Sequence, residues 1–391
     1  MSFMFKLISS SSVTSISGFL AGAVHSGMKS EDKLDLAILY SEVPSAAAGV
    51  FTTNRIKSAP VILSQRHLSK RQAQAIVVNS GCANACVGEQ GLVDALEMAR
   101  LVAAKLDILP EDVLVASTGV IGIPLPMTQI RAGIERIRLH QRGGHDFARA
   151  IMTTDTKPKE IAAKVDMGGV KFTIAGVAKG AGMIHPDLAT MLCFIATDAL
   201  VNVEFLQPAL QKAVNTSLNM VSIDGETSPS DCVFLLANGL AGNEMISFDN
   251  SEAFQEALNE VCVYLAKSIA RDGEGATKLI EVTVEGATKH AEARQAARAI
   301  ASSPLVKAAL HGSDPNWGRI VAALGRSGTE VIEDKLDVYL NDTCVMKQGN
   351  PTSFSKEEMR TALAIANNVL IRVCLNLGDG TATAWGCDLS E

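Results

Sequence analysis

The chain has 391 residues, of which 47% are hydrophobic and 4% aromatic. This length is enough for two domains or for one large multilayer domain with a sizeable core. The formal net charge of −7 argues against nucleic acid as a main partner, because a phosphate backbone calls for a basic protein face.

The N-terminal region and the cysteines give further exclusions. The polar run SSSSVTSIS interrupts an apolar stretch that a secretory signal would need to be continuous, and no window approaches the roughly 18 apolar residues of a membrane span. We therefore expect a cytoplasmic protein without a membrane partner. Eight cysteines are scattered along the chain, and only Cys82 and Cys86 lie close together. With no second pair or nearby His, reduced thiols are the better interpretation and no metal site is expected.

Strand and helix patterns alternate along the chain. In the first half, β-type runs end in Gly or a small hydroxyl residue, and one helical stripe lies between them. The predicted strands here are 47–54, 75–81, 113–119 and 170–180, and the helix is 92–106. The second half repeats this mixture with helices at 203–220, 252–270 and 289–302 and strands at 279–287 and 369–378. The pattern predicts an α/β or α+β protein without the strict rhythm of a Rossmann domain, and 141–147 (QRGGHDF) is predicted to be a flexible surface segment.

Several segments combine small residues, Gly and hydroxyls. They are NSGCANAC (79–86), ASTGVIG (116–122), MTTDTKPK (152–159) and KGAGMIHPDLATML (179–192). Each can present backbone N–H groups and hydroxyls to a ligand, although a plain turn explains any one of them equally well. ASTGVIG also follows a strand, but it lacks the Gly-Lys pattern of a phosphate-binding loop.

Other polar residues leave two interpretations open. His185 has no G-x-S-x-G motif near it and no Asp placed by sequence to orient its ring, so a structural role is favoured over a general base. Asp224 and Asp231 form either a carboxylate pair or part of a polar loop. DGEGATK (272–278) and SDPNWGRI (313–320) mix Gly with charges beside regular elements, which indicates a tight turn or a site.

Taken together, these motifs resemble the ornithine acetyltransferase (glutamate N-acetyltransferase) family of arginine biosynthesis. The resemblance is carried, in order, by NSGCANAC, STGVIG, TTDTKPK, KGAGMIHPDLATML, DGEGATK, DPNWGR and TATAWGCDL, from about residue 18 to the last residue. It implies that the precursor cleaves itself between Ala189 and Thr190, giving an α chain of residues 1–189 and a β chain of residues 190–391. An N-terminal Thr carries its own α-amine as a base, which explains a Thr at the junction between a Gly-rich loop and an apolar run.

The resemblance also implies roles for single residues. Thr190 is the nucleophile, and Thr118 and Gly119 form the oxyanion hole. Family substrate contacts fall on Thr153, Lys179, Thr190 and Glu274; by charge, Lys179 would meet a substrate carboxylate and Glu274 an ammonium group. Family chains usually continue past GCDLS with a tail that supplies an Asn and a hydroxyl residue to the substrate site, whereas this sequence ends at Glu391.

The implied reaction is a ping-pong acetyl transfer from N-acetylornithine to glutamate. It requires no metal and no organic cofactor, and acetyl-CoA is a further donor for some family members. The implied fold is a four-layer αββα sandwich of the self-processing N-terminal-Thr type, with a smaller α/β subdomain from about residue 275. The cleaved chains would form an (αβ)₂ heterotetramer.

Two alternatives come from other functional classes. A self-cleaving aminopeptidase or amidase of the same fold would form the same acyl-Thr and transfer it to water. A non-catalytic descendant acting as a binding protein is disfavoured, because the implied site residues are all present. These residues are Thr118, Gly119, Lys179, Thr190 and Glu274.

Overall fold

The computed structural model describes residues 4–30, 32–185 and 191–389. The chain divides into two compact units, between which it passes several times. Unit 1 is Met1–Gly180, Asp187–Asn215 and Thr227–Leu265, and unit 2 is Ala181–Pro186, Thr216–Glu226 and Ala266–Glu391.

The described residues form sixteen strands and ten α-helices. In chain order the strands are β1 Met4–Ile8, β2 Phe19–Val24, β3 Leu36–Phe51, β4 Gln72–Cys82, β5 Val113–Val120, β6 Lys159–Met167, β7 Val170–Lys179, β8 Leu192–Thr197, β9 Val221–Ser222, β10 Cys232–Ala237, β11 Leu279–Ala287, β12 Asp337–Leu340, β13 Thr343–Lys347, β14 Asn350–Pro351, β15 Asn368–Cys374 and β16 Gly380–Cys387. The helices are α1 Ala59–His67, α2 Gln90–Leu106, α3 Met127–Arg136, α4 Gly144–Ile151, α5 Val203–Thr216, α6 Glu252–Arg271, α7 His290–Ala301, α8 Pro304–His311, α9 Trp317–Gly325 and α10 Lys356–Ile365.

Unit 1 is built on a nine-stranded sheet. Its strand order is β1-β6-β7-β8-β10-β3-β4-β5, and β2 pairs with β3. The β4–β5 and β8–β10 pairs are parallel, and the other pairs are antiparallel. The register of β3 against β4 shifts between Tyr40 and Ser45, an irregularity of the kind that bends a strand.

The layers of unit 1 follow from which faces of this sheet are apolar. One buried cluster joins side chains of β3, β4 and β5 to side chains of β7, β8 and β10, so the two halves of the sheet pack face to face; it includes Leu39, Ile76, Val177, Phe194 and Phe234. A second cluster covers the other face of β3–β5 with α1, α2 and α3. On the other half, a Cβ built at Gly176 of β7 would lie 2.8 Å from Leu265 and 2.9 Å from Val261 of α6. Helix, sheet, sheet and helix layers result, which confirms the predicted αββα arrangement.

Unit 2 has a seven-stranded sheet of its own. Its order is β14-β13-β12-β15-β11-β16-β9, and α7 packs against β11 and β16. The small residues of α7 explain this close packing, because Ala293, Ala296 and Ala297 are fully buried. The protein is therefore mixed α/β, as predicted.

Most predicted elements are confirmed, and the exceptions have local causes. The helix predicted over 203–220 ends at Thr216 and is followed by a separate 3₁₀ turn at Leu218–Met220. The strand predicted over 369–378 ends at Cys374, and Asn376 has a positive φ of 55° where the chain turns.

The prediction of a flexible segment at 141–147 is wrong. Gly143 and Gly144 are buried, and α4 begins at Gly144. A Cβ at Gly143 would lie 1.9 Å from the carbonyl oxygen of Ala21. These glycines allow a close approach of two backbones, and they do not provide mobility.

Among the described residues, no helix is both long and apolar enough to cross a bilayer.

Candidate active site

Thr118 and Gly119 lie where β5 ends beside β4 in unit 1. The register places Thr118 opposite Ser80 and Gly119 opposite Gly81. Thr118 is buried and Gly119 is exposed, so the strand leads from the core to the surface within one residue. Gly119 has φ of +131°, and a Cβ there would lie 2.3 Å from the carbonyl carbon of Gly81. Only glycine fits this position without moving β4.

Buried polar side chains fix the ends of β4 and β5. The amide oxygen of Asn79 accepts a 2.5 Å hydrogen bond from the Ser117 hydroxyl, and its amide nitrogen donates to the carbonyl of Cys82 at 2.9 Å. Asn79 and Ser117 are both fully buried. The turn that carries Thr118 and Gly119 is therefore held by side chains on both strands.

A second loop is joined to this strand end. The Ser80 hydroxyl donates to the carbonyl of Ala150 at 2.5 Å. The Lys29 ammonium donates to the carbonyls of Met152, Leu34 and Ala150 at 2.5, 3.0 and 3.3 Å. The pKa of Lys29 is lowered to about 8, chiefly by burial and in part by nearby Lys179, while the charge of Asp35 opposes the shift. The segment that leads into Thr153 is thus tied to the end of β4.

Asp155 connects the Thr153 loop to the end of β7. Its carboxylate accepts the N–H of Thr153 at 3.0 Å, the N–H of Gly180 at 2.7 Å and the ammonium of Lys159 at 2.6 Å. Both side chains of the Asp155–Lys159 ion pair are 1% exposed. Burial by itself would raise the pKa of Asp155, but the positive charges of Lys179 and Lys159 hold it below its ordinary value. Asp155 therefore stays ionised and brings Thr153 and Lys179 to one place.

Lys179 is 2% exposed and is the last residue of β7. It pairs with Leu192, the first residue of β8, which also pairs with Cys232 at the start of β10. Ala189 and Thr190 lie outside the described residues. Met191, the residue bonded to Thr190, donates its N–H to the Asp231 carboxylate at 3.0 Å.

Unit 1 thus brings four predicted positions together: Thr118, Gly119, Thr153 and Lys179. A continuous series of contacts links them, from Gly119 through Gly81, Ser80 and the Ala150 carbonyl to Thr153, Asp155 and Gly180. Lys179, the residue before Gly180, pairs with Leu192, the first residue of β8.

Unit 2 contains the predicted Glu274. Its side chain is exposed, and its N–H donates to the carbonyl of Ala181 at 2.8 Å. A Cβ at Gly182 would lie 2.5 Å from the Glu274 carboxylate, so Gly182 leaves room for this side chain. The DGEGATK motif is held by Asp388, which accepts the N–H groups of Thr277 and Lys278 at 2.9 and 2.8 Å.

The residues with two interpretations bind the backbone of their own units. Asp224 accepts the N–H of Ile184 at 2.9 Å and that of Met183. Asp231 accepts the N–H of Met191, as described above. The His185 ring nitrogen Nδ1 is 3.2 Å from the hydroxyl oxygen of Ser222. All eight cysteines are free thiols, and the described part of the chain holds no group of three or more His, Cys, Asp or Glu side chains suited to a metal ion.

Sequence reasoning did not single out Lys29 or Asp155, and it did not connect Asp231 with Met191. A signal existed for Asp155, since it lies in the quoted TTDTKPK motif and is spaced by four residues from Lys159. The contacts of Lys29 and Asp231 had no such signal, because their partners are distant in sequence.

The protein is a four-layer α/β sandwich in which the predicted site residues of unit 1 lie at or near strand ends. Residues 20–391 match the model of the ArgJ family, and the chain belongs to this family. It is 54% identical over 383 residues to the arginine biosynthesis bifunctional protein ArgJ of Dehalococcoides mccartyi, covering 97% of this chain and 94% of that protein. It is 50% identical over 384 residues to the protein of the same name from Symbiobacterium thermophilum, covering 97% and 95%.

Two solved structures are also similar. The crystal structure of the arginine biosynthesis bifunctional protein ArgJ from Bacillus halodurans is 46% identical with a TM-score of 0.49, covering 50% of this chain and 93% of that chain. The ornithine acetyltransferase of Mycobacterium tuberculosis, solved in complex with ornithine, is 41% identical with a TM-score of 0.45, covering 48% and 100%.

Proposed function

We propose that this protein transfers the acetyl group of N-acetylornithine to glutamate in arginine biosynthesis, after cleaving itself between Ala189 and Thr190. One observation carries the proposal. In a chain that matches the ArgJ family over 20–391, contacts through β4 and Asp155 link Thr118, Gly119 and Thr153 to the end of β7, where Lys179 pairs with Leu192, the first residue of β8.

Self-cleavage creates the nucleophile. The Thr190 hydroxyl attacks the Ala189 carbonyl, the peptide bond becomes an ester, and water releases the Ala189 carboxylate and the Thr190 amine. An α-amine has an unperturbed pKa of about 7.7–8.0, so roughly a tenth to a sixth of it is neutral at pH 7 and accepts the hydroxyl proton.

In the first half-reaction the acetyl group is transferred to Thr190. The Thr190 hydroxyl oxygen attacks the acetyl carbonyl carbon of N-acetylornithine, and the negative charge that develops on the carbonyl oxygen is met by the Thr118 hydroxyl and the Gly119 N–H. Donors of this kind contribute about 3–4 kcal/mol each in other acyl-transfer sites. The carbon–nitrogen bond then breaks, the proton passes from the Thr190 amine to the leaving nitrogen, and ornithine departs.

In the second half-reaction the acetyl group passes from Thr190 to glutamate. The amino group of glutamate attacks the acetyl ester, the carbon–oxygen bond breaks, and the Thr190 hydroxyl is restored. Both substrates carry an α-amino-acid head, so one set of groups positions both. Lys179 serves the substrate carboxylate and Glu274 a substrate ammonium group. No metal or organic cofactor takes part, and acetyl-CoA is a candidate second donor.

The proposal includes an assembly and a location. Cleaved chains that contribute strands to one sheet do not separate, so we propose an (αβ)₂ heterotetramer in the cytoplasm. Light scattering of the purified protein tests the assembly, and a mass equal to one α and one β chain contradicts it.

The test measures what happens to the acetyl group. Purified protein is mixed with N-acetylornithine, with and without glutamate, and ornithine, acetate and N-acetylglutamate are quantified. The proposal predicts one equivalent of ornithine per enzyme without glutamate, and sustained ornithine release only with glutamate, with N-acetylglutamate as the product. Ornithine release with acetate that is independent of glutamate would instead support an aminopeptidase or amidase.

A further inference from the structure

Asp231 is a carboxylate in an unusual place. It is 1% exposed and immediately precedes β10 in unit 1. Burial raises its pKa well above the ordinary value, although the positive charge of Lys179 opposes this effect. Burying such a group is costly, so its position next to Met191 calls for an explanation.

Asp231 and its neighbour hold both backbone groups of Met191. The Met191 N–H donates to the Asp231 carboxylate at 3.0 Å, and the Cys232 N–H donates to the Met191 carbonyl at 3.3 Å. The Asp231 carbonyl in turn accepts the Thr52 N–H at 3.0 Å, which ties this corner to the residue after β3. The peptide that follows Thr190 is therefore held at two points.

The framework behind these bonds is rigid. β8 and β10 pair in parallel over six residues each, from Leu192↔Cys232 to Thr197↔Ala237. This register makes Met191 and Asp231 the residues that precede two neighbouring strands. All twelve paired residues except Ala237 are 1% exposed or less, so the strands do not shift easily.

From this geometry we infer that Asp231 is a positioning residue for Thr190. By accepting the N–H of Met191, it fixes the peptide group through which Thr190 is joined to β8. This hydrogen bond is buried, so losing its acceptor leaves the Met191 N–H unpaired and without water to replace the bond. The inference rests on the proposed function in that Thr190 is taken as the nucleophile.

Rates are sensitive to such positioning. A displacement of about 1 Å in a reacting group costs on the order of 100-fold in rate. Asp231→Asn is nearly isosteric and keeps an oxygen that accepts the Met191 N–H, but it places an NH₂ group where the second carboxyl oxygen of Asp231 lies. Asp231→Leu has a similar size and has no acceptor at all.

A control lies at the far end of β8, the strand that begins after Met191. Asp198 follows β8 and accepts the Thr173 N–H at 2.7 Å, and burial raises its pKa as well. Asp198→Asn and Asp198→Leu therefore make the same chemical changes at the opposite end of β8 from Met191.

The experiment measures self-cleavage by intact mass over time, kcat and KM for acetyl transfer, and Tm for all four variants. We expect cleavage and kcat to fall about tenfold in Asp231→Asn and about 100-fold in Asp231→Leu, with KM within about twofold of the parent, while the Asp198 variants change Tm alone. If Asp231→Leu does not fold, Asp231→Asn decides by the split between kcat and KM.

Parent rates in both Asp231 variants, or equal losses of kcat in the Asp198 variants, overturn the inference. Failure of the proposed function is distinguishable from this result. If the parent protein cleaves itself but transfers acetyl to water, glutamate is not the acceptor, and the cleavage rates of the variants still test Asp231.

Discussion

The substitution Gly119→Ala tests the proposed oxyanion hole at a position where the backbone leaves no room for a side chain. At a φ of +131° an L side chain is strained, and the new Cβ would lie 2.3, 2.5 and 2.6 Å from the Gly81 carbonyl carbon, the Cys82 nitrogen and the Gly81 oxygen. All three are backbone atoms of β4, whose position is fixed by the buried Asn79 and Ser80. The turn carrying Gly119 must therefore move.

Two costs determine how far Gly119→Ala lowers the free energy of unfolding. Backbone strain at such a φ costs about 1–3 kcal/mol, and relief of overpacking costs about 1–3 kcal/mol more. We therefore expect the free energy of unfolding to fall by about 2–6 kcal/mol. Displacing the Gly119 N–H removes one oxyanion donor, which lowers kcat by about 10²–10³-fold.

Gly122 provides the matched control in the same loop. It also has a positive φ, +83°, but a Cβ there meets nothing within 4 Å. Gly122→Ala thus carries backbone strain of about 1–2 kcal/mol without a clash, and we expect parent-like kcat. Urea unfolding and steady-state acetyl transfer measure both variants. An unchanged kcat in folded Gly119→Ala, or equal losses in both variants, would refute the role of the Gly119 N–H.

Two further predictions concern the buried charges. Asp155→Asn removes the carboxylate that Lys159 contacts at 2.6 Å, so we expect the free energy of unfolding to fall by about 3–5 kcal/mol and KM to rise as Thr153 loosens. Asp166→Asn, at an exposed ion pair with Lys171, should cost less than about 1 kcal/mol in the same urea titration, and equal costs would contradict the reasoning. Lys29 has a pKa of about 8 when folded and 10.5 when unperturbed, so unfolding takes up a proton between these values and stability rises with pH across that interval. Lys29→Gln should lack this rise in Tm, and identical pH profiles would show that Lys29 does not titrate there.

Local sequence patterns were sufficient to predict most of the helices and strands. The stripe that predicts a helix at 92–106 and the alternation that predicts a strand at 279–287 report which face of an element is buried, and this is decided by near neighbours. The glycines of 141–147 were misread because composition does not show which backbone approaches them. Ala21, the residue that excludes a side chain at Gly143, is far away in sequence.

The sequence proposes site residues through the family resemblance, but it does not show which groups hold them in place. Thr118, Gly119, Thr153 and Lys179 lie in recognisable motifs, whereas the groups that contact their segments act over long sequence separations. Asp155 reaches Gly180 across 25 residues, and Asp231 reaches Met191 across 40. Such pairs depend on strand register, which no local pattern encodes.

The central claim is that Thr190 becomes an N-terminal nucleophile that carries the acetyl group. The most direct test is the intact mass of the parent protein and of Thr190→Ala under denaturing conditions, before and after addition of N-acetylornithine. The account predicts two chains divided between Ala189 and Thr190, with one acetyl group on the chain that begins at Thr190, and a single unmodified chain for the variant. A single parent chain near 41.2 kDa, or an acetyl group that Thr190→Ala also acquires, would contradict it.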